Sequence, residues 1–267
     1  MRATKITKKK KDLPIGVFDS GVGGLSVLRE LQRAMPRESF VYLADQAYVP
    51  YGEKSKKELI HRALKIGHFL VEKHRAKMIA VACNTATCYT IDALRRDFEI
   101  PIVGTVPAVR PAAGNSKSGF AVISTPATAR SPMLKELIKK FAGKLPVQNI
   151  ACKGLENIVE EGKSKNSKAK ILIQNYLNKL NPKTDYLVLG CTHYPFLKEE
   201  IQKVVGKKIK IIDSGKAIAR QAKKMLPQKS KQQKAKTIYY TTGKPQKFSR
   251  VASLLLGKKV KGIQVAI

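Results

Sequence analysis

Two cysteines stand where a chain could use them for chemistry. Cys191 follows the apolar run Tyr186–Leu189 and Gly190, with Thr192 and His193 directly after it. Cys83 closes the apolar run 78–82, with Asn84 and Thr85 after it. A thiol ionises near pH 8.5, so it can act as acid, base or nucleophile, and a helix N-terminus or an imidazolium favours its thiolate. A lone Cys is ordinarily a small buried apolar residue, and a lone loop His needs no role. The doubling weakens both readings. A thiol hydrolase would need only one Cys with an orienting His.

The elements around each Cys are alike. A short branched run bounded by Gly or a polar residue reads as a buried strand of an α/β sheet. Pro195 at a first helical position, then Phe196, Leu197 and Ile201, predict a helix after Cys191; a second helical pattern starts near Thr87. Ligands of open α/β sheets bind beyond the carboxyl ends of the strands, and helix N-termini favour anions. Each Cys unit is preceded by a similar one. Residues 15–18 form a strand ending in Asp19 and Ser20, then Gly21, Gly23 and Gly24, then a helix over 25–35. Residues 119–124 form a strand ending in Ser124 and Thr125, then a small loop and a helix over 135–141. The Gly spacing is a poor dinucleotide fingerprint and Asp19 would repel a pyrophosphate; the loop suits an amino acid. The repetition predicts two related α/β halves, each offering one Cys.

The remaining elements follow from periodicity and turn residues. Strands are expected at 40–44 (ending before Asp45), 100–106, 147–151, 209–212, 237–242 and 260–265. Helices are expected at 56–75, 155–161, 171–180, 217–225 and 245–256, with a polar loop over 162–170 and a basic linker over 227–236. Tyr51 and Gly52 could wall a site, though such a turn is usually only a turn. Glu156 and Glu160 share the short helix, where Glu is normally on the surface, and nothing local chooses between them. Pro107 and Pro111 bracket a crossover. We therefore expect an α/β fold built of two related halves, after a basic disordered arm over 1–12.

The 267 residues suffice for one large or two small domains, and 43% hydrophobic residues can bury a core. No apolar run is long enough to span a membrane, and the basic N-terminus lacks an apolar segment of a secretory signal. Four Cys, two at strand ends, point to reduced thiols in a cytoplasmic protein. The spacing of Cys83 and Cys88 does not form a zinc knuckle, and no metal site is expected. Lys and Arg total 52 against 19 Asp and Glu, a formal charge of +33. Such a field attracts nucleic acid nonspecifically. The Lys are spread along the chain, however, with no zinc-finger spacing or RNA-recognition motif, which favours a solvated basic surface.

DSGVGGLSVL, PYG, ACNTAT, VGTVPAVRPAA and VLGCTHYP, in this order, resemble the glutamate racemases of the aspartate/glutamate racemase family, from about Ile15 to Gly257. The resemblance implies two pseudo-symmetric α/β domains, 13–107 plus 216–267 and 108–215, with the active site between them, and interconversion of L- and D-glutamate without pyridoxal phosphate, metal or nucleotide, D-glutamate entering peptidoglycan. It places the catalytic pair on Cys83, for the D-enantiomer, and Cys191, for the L-enantiomer. It puts Asp19 beside the first thiol, His193 beside the second, and a supporting Glu on Glu160, with Glu156 still open. Substrate-binding positions fall on Asp19, Ser20, Tyr51, Gly52, Asn84, Thr85, Thr125, Thr128, Thr192 and His193. Gln46 and Tyr48 depart from the commoner Thr and Arg of the loop after Asp45. The rivals are an aspartate racemase, against which His193 argues, and a nucleic-acid-associated binding protein on the same fold, against which the two intact Cys argue. Glutamate is the expected small-molecule partner, and a homodimer is compatible with the family.

Overall fold

The computed structural model describes residues 12–226, 230 and 235–267; the expected basic arm, except Asp12, and most of the expected linker lie outside the described residues. The chain runs β1 (Ile15–Asp19), α1 (Leu25–Ala34), β2 (Phe40–Ala44), α2 (Lys56–His68), β3 (Met78–Val81), α3 (Asn84–Asp97) and β4 (Ile102–Gly104). It continues through α4 (Val109–Asn115), β5 (Phe120–Ser124), α5 (Pro126–Arg130), α6 (Pro132–Phe141), β6 (Val147–Ala151), α7 (Leu155–Glu160), α8 (Ser167–Leu177) and β7 (Tyr186–Leu189). Then come α9 (Lys198–Val205), β8 (Lys210–Asp213), α10 (Gly215–Met225), β9 (Thr237–Thr241), α11 (Pro245–Leu256) and β10 (Gly262–Gln264).

The strands form two parallel sheets, ordered β10-β9-β2-β1-β3-β4 and β6-β5-β7-β8. Within the first, β2-β1-β3-β4 has the same order and connectivity as the whole of the second. β1 pairs with β2 and β3, Val17 lying opposite Tyr42 and Ala80; β5 pairs with β6 and β7, Val122 lying opposite Asn149 and Val188. β1 and β5 are buried at every position, as expected of parallel strands covered on both faces. The repeat thus leaves Ser20 and Cys83 just beyond two neighbouring strand ends, and Thr125 and Cys191 just beyond the equivalent two. One continuous core runs from Ile15, Val17 and the buried stripe Leu25, Val27, Leu28 and Leu31 of α1 to Ile123, Leu187 and Leu189 of the other sheet.

Several elements differ from expectation, each for a local reason. α3 begins at Asn84 rather than near Thr87, because Cys83 is its N-cap, with Sγ accepting the Ala86 amide at 3.5 Å. The apolar stripe hid that first turn because Asn84, Thr85 and Thr87 are polar yet buried. The helix expected over 56–75 ends as α2 at His68 and passes into a π-helical turn, Phe69–Lys73. Residues 126–130 form α5, not a loop, capped by the Thr125 hydroxyl with Pro126 in the first turn. The polar stretch at 162–170 is loop only as far as Asn166, whose side chain caps α8 through the Ala169 amide at 2.8 Å. Pro195 lies in a 3-10 turn, Tyr194–Leu197, ahead of α9.

Candidate active site

Cys83 is 6% exposed and sits at the N-terminus of α3, 14 residues long. Helix partial charge and the Ala86 amide favour its thiolate. Burial acts the other way and dominates: with the nearby Asp19 charge, it pushes the Cys83 thiol well above its ordinary range. Asp19 is fully buried at the end of β1. Its Oδ2 accepts amides from Gly21 at 3.2 Å and Gly24 at 2.8 Å, while its Oδ1 has no partner of ordinary hydrogen-bond geometry. Burial raises the Asp19 carboxyl; His193, the Gly24 amide and the Cys83 thiol oppose that rise. A thiol beside a carboxylate keeps its proton.

Cys191 is also 6% exposed, but its neighbours are different. Its Sγ lies 3.6 Å from His193 Nδ1, and His193 Nε2 lies 2.7 Å from Glu160 Oε1. Burial would lower His193, yet contacts with Cys191 and Glu160 outweigh it and hold the imidazole well above its ordinary range. Burial raises Cys191, and the His193 hydrogen bond and charge work against that. Burial would also raise Glu160, but its bond to His193 and those from Gln46 and the Val22 amide bring it below the usual carboxylate range.

Glu156 and Glu160, expected on a helix surface, are both buried, 6% and 4% exposed. Glu160 is drawn inward by donors from the first half: the Val22 amide on Oε1 at 2.6 Å and Gln46 Nε2 on Oε2 at 2.7 Å. The glycine loop makes this approach possible. A Cβ at Gly21 would overlap the Glu160 carboxyl, and one at Gly23 would overlap the His193 ring. These glycines allow close packing of the two halves.

Ser20, Tyr51, Gly52, Asn84, Thr85, Thr125, Thr192 and His193 line one cavity with both thiols, together with Glu156. Asp19, Thr128 and Glu160 stand behind that lining. Thr128 supports the wall: its hydroxyl lies 3.1 Å from that of Thr85, which is 3.0 Å from Thr125 Oγ1, so three hydroxyls join the halves. Tyr51 is fixed by donating to Asp45 Oδ2 at 2.7 Å, and Asp45 also pairs with Arg62 at 2.7 Å. The cavity leaves about 20 Å³ for the centre of a water-sized sphere, enough for about one water.

Sequence reasoning missed three contributors. Gln46 stands out in the sequence only as a departure from the commoner loop, yet it bridges Glu160 and the Thr241 hydroxyl, which donates to its Oε1 at 3.0 Å. Ser26 donates to the Thr192 carbonyl at 2.8 Å, tying α1 to the Cys191 turn. The Val22 backbone donor carries no side-chain signal. No local pattern links Gln46 or Ser26 to residues more than 100 positions away.

This arrangement offers two buried acid–base thiols across a small polar space, with no Lys or Arg in its lining. A sequence model of the Asp/Glu/hydantoin racemase family matches residues 15–222. The glutamate racemase of Stutzerimonas stutzeri is 40% identical over 250 residues, spanning 92% of this chain and 94% of that protein. A glutamate racemase isoform of Bacillus anthracis superposes with a TM-score of 0.88 at 32% identity, over 96% of this chain and 98% of that one. Escherichia coli glutamate racemase, in complex with L-glutamate and the activator UDP-MurNAc-Ala, gives a TM-score of 0.85 at 28% identity, over 94% and 97% of the two chains. With a family match over most of its length and relatives similar from end to end, the chain belongs to the Asp/Glu/hydantoin racemase family, as an isomerase grouped with the glutamate racemases.

Proposed function

We propose that the enzyme interconverts L- and D-glutamate by two-base proton transfer between Cys83 and Cys191, without a cofactor. The observation that carries this reading is that one thiol from each repeated half lines the same cavity. In the L-to-D direction Cys191, as thiolate beside imidazolium His193, removes the Cα proton, and Cys83, as thiol beside Asp19, delivers one to the opposite face. The reverse reaction exchanges the two roles. The intermediate carries negative charge toward the α-carboxylate, so donors fixed around that group lower the barrier. Backbone amides and the hydroxyls of Ser20, Thr85 and Thr192 are suited to that task. Substrate enters by parting of the two halves, since room for one water cannot hold glutamate. The product D-glutamate serves peptidoglycan synthesis in the cytoplasm. An aspartate racemase is the weaker alternative, because the glutamate racemases named above match from end to end.

Incubating purified protein with L-glutamate in heavy water tests the reading. D-glutamate should form with deuterium at Cα, with no added cofactor. Retention of protium in the product would refute proton delivery from a thiol that exchanges with solvent, and absence of racemisation would refute the activity.

A further inference from the structure

Glu156 lines the cavity, is 6% exposed, and belongs to no part of the proton-transfer machinery described above. Its Oε1 accepts the Gly154 amide at 3.3 Å, and its Oε2 has no hydrogen-bond partner. A buried carboxylate oxygen without a partner costs a few kcal/mol, so its persistence asks for a ligand. No cation lies in the cavity wall to supply one: the lining contains no Lys or Arg, and His193 is already engaged by Glu160 and Cys191.

We propose that Glu156 binds the α-ammonium group of the substrate on the Cys191 side of the cavity, and so selects amino acids over dicarboxylates that lack the amine. The proposal rests on the glutamate reading and adds a binding residue to it. Glutamate brings two carboxylates and one cation. Ser20, Asn84, Thr85, Thr125 and Thr192 offer neutral donors for the carboxylates, and Glu156 is the one carboxylate among the lining residues for the cation. Keeping the amine protonated also makes the Cα–H more acidic. Glu156 further couples binding to chemistry. Its charge raises Cys191 in the free enzyme, adding to burial and opposing His193. An ammonium docked on Glu156 cancels that charge, so the Cys191 thiolate becomes easier to form once substrate is in place.

The test uses the full chain and Glu156→Gln, reading kcat and KM for both enantiomers and the inhibition constant of glutarate, which keeps both carboxylates and lacks the amine. Loss of a buried charge pair should raise KM for L- and D-glutamate alike, by about 10- to 100-fold. Glutarate should bind the variant as tightly as wild type or more tightly, because a repelling charge has gone. Unchanged KM, or glutarate weakened in parallel with glutamate, overturns the assignment. Glu156→Asp covers a failure of the Gln variant to fold: it keeps the charge and shortens its reach, so KM should rise while glutarate is unaffected, and unchanged KM again overturns the proposal. If wild type fails to racemise glutamate, the activity and this proposal fall together; a failure confined to the variants leaves the activity standing.

Discussion

At one end of the cavity a thiol caps a 14-residue helix and faces a buried carboxyl; at the other a thiol in an irregular turn faces an imidazole backed by a second carboxylate. The strand order that delivers them is the same, β2-β1-β3-β4 against β6-β5-β7-β8. Geometry is repeated and charge is not. The difference fits what two-base inversion requires: one group must lack a proton when the other carries one. Asp19 favours the protonated form of Cys83, and His193 favours the thiolate of Cys191. Burial raises both thiols, so the asymmetry lies in their partners: Asp19 adds to the rise at Cys83 and His193 opposes it at Cys191.

Removing either thiol should break the comparison most severely. A Ser hydroxyl is nearly the size of a thiol but far too weak an acid–base group, so Cys83→Ser and Cys191→Ser should each lose racemisation by about 10³-fold or more. What remains should differ between them. Cys83→Ser should still exchange the Cα hydrogen of L-glutamate with heavy water and leave D-glutamate alone; Cys191→Ser should do the reverse. Near-normal racemisation by either, or exchange of both enantiomers by both, would require a different pair of bases.

Replacing the charge partners comes next. Enantiomers are isoenergetic, so kcat/KM must remain equal in the two directions in every variant, and the asymmetry has to be read from exchange. His193→Asn should slow exchange of L-glutamate by about 100-fold and that of D-glutamate much less, while Asp19→Asn should bias the loss toward the D-enantiomer. Equal slowing of both enantiomers in each variant would mean that the two ends are wired in common.

The His193–Glu160 pair should also be visible in stability. The lowered Glu160 carboxyl contributes stability that is present above its unfolded value of about 4.3 and is lost as pH falls through the folded value. The raised His193 contributes stability that is present below about 6.5 and is lost as pH rises through the folded value. Wild type should therefore exceed Glu160→Gln by about 3 kcal/mol between roughly pH 4.5 and 6.5, less on either side, in urea titrations across pH. A difference that stays flat with pH would mean that the pair is not ionised in the folded enzyme.

The sequence made one part of this comparison legible and hid the other. Apolar runs ending in Asp19, Cys83, Thr125 and Cys191 expose the repeat, because parallel strands buried on both faces must be apolar and their ends must be polar where a ligand lies. β6 and β7 fall over 147–151 and 186–189 as the runs predict. His193 beside Cys191 is legible too, two residues away. The charge wiring is not. Glu160 reaches Val22 and Gln46 across the two halves, and a surface Glu and a buried one look alike in a six-residue helix. Gln46 reads as a loop residue until the fold brings it to Glu160.

Gln46 gives the finest test of the asymmetry, because its bond to Glu160 Oε2 acts directly on the carboxylate that backs His193, whereas Asp19 feels Glu160 and His193 only through charge. Gln46→Leu removes a donor to a charged acceptor, but the Val22 amide and His193 still hold the other oxygen, so the loss should stay within about tenfold. Its signature is in pH. Without Gln46 the Glu160 carboxyl should protonate at higher pH, and His193, less firmly held as a cation, should lose its proton at lower pH. Exchange of L-glutamate in a Cys83→Ser background should then occupy a narrower pH range, closing from both sides. Exchange of D-glutamate in a Cys191→Ser background should narrow much less, because Cys83 answers first to burial and Asp19, and Asp19 makes no hydrogen bond to Glu160. If both profiles narrow together, Gln46 holds the loop as a whole; if neither does, Glu160 keeps its charge without help from across the cavity.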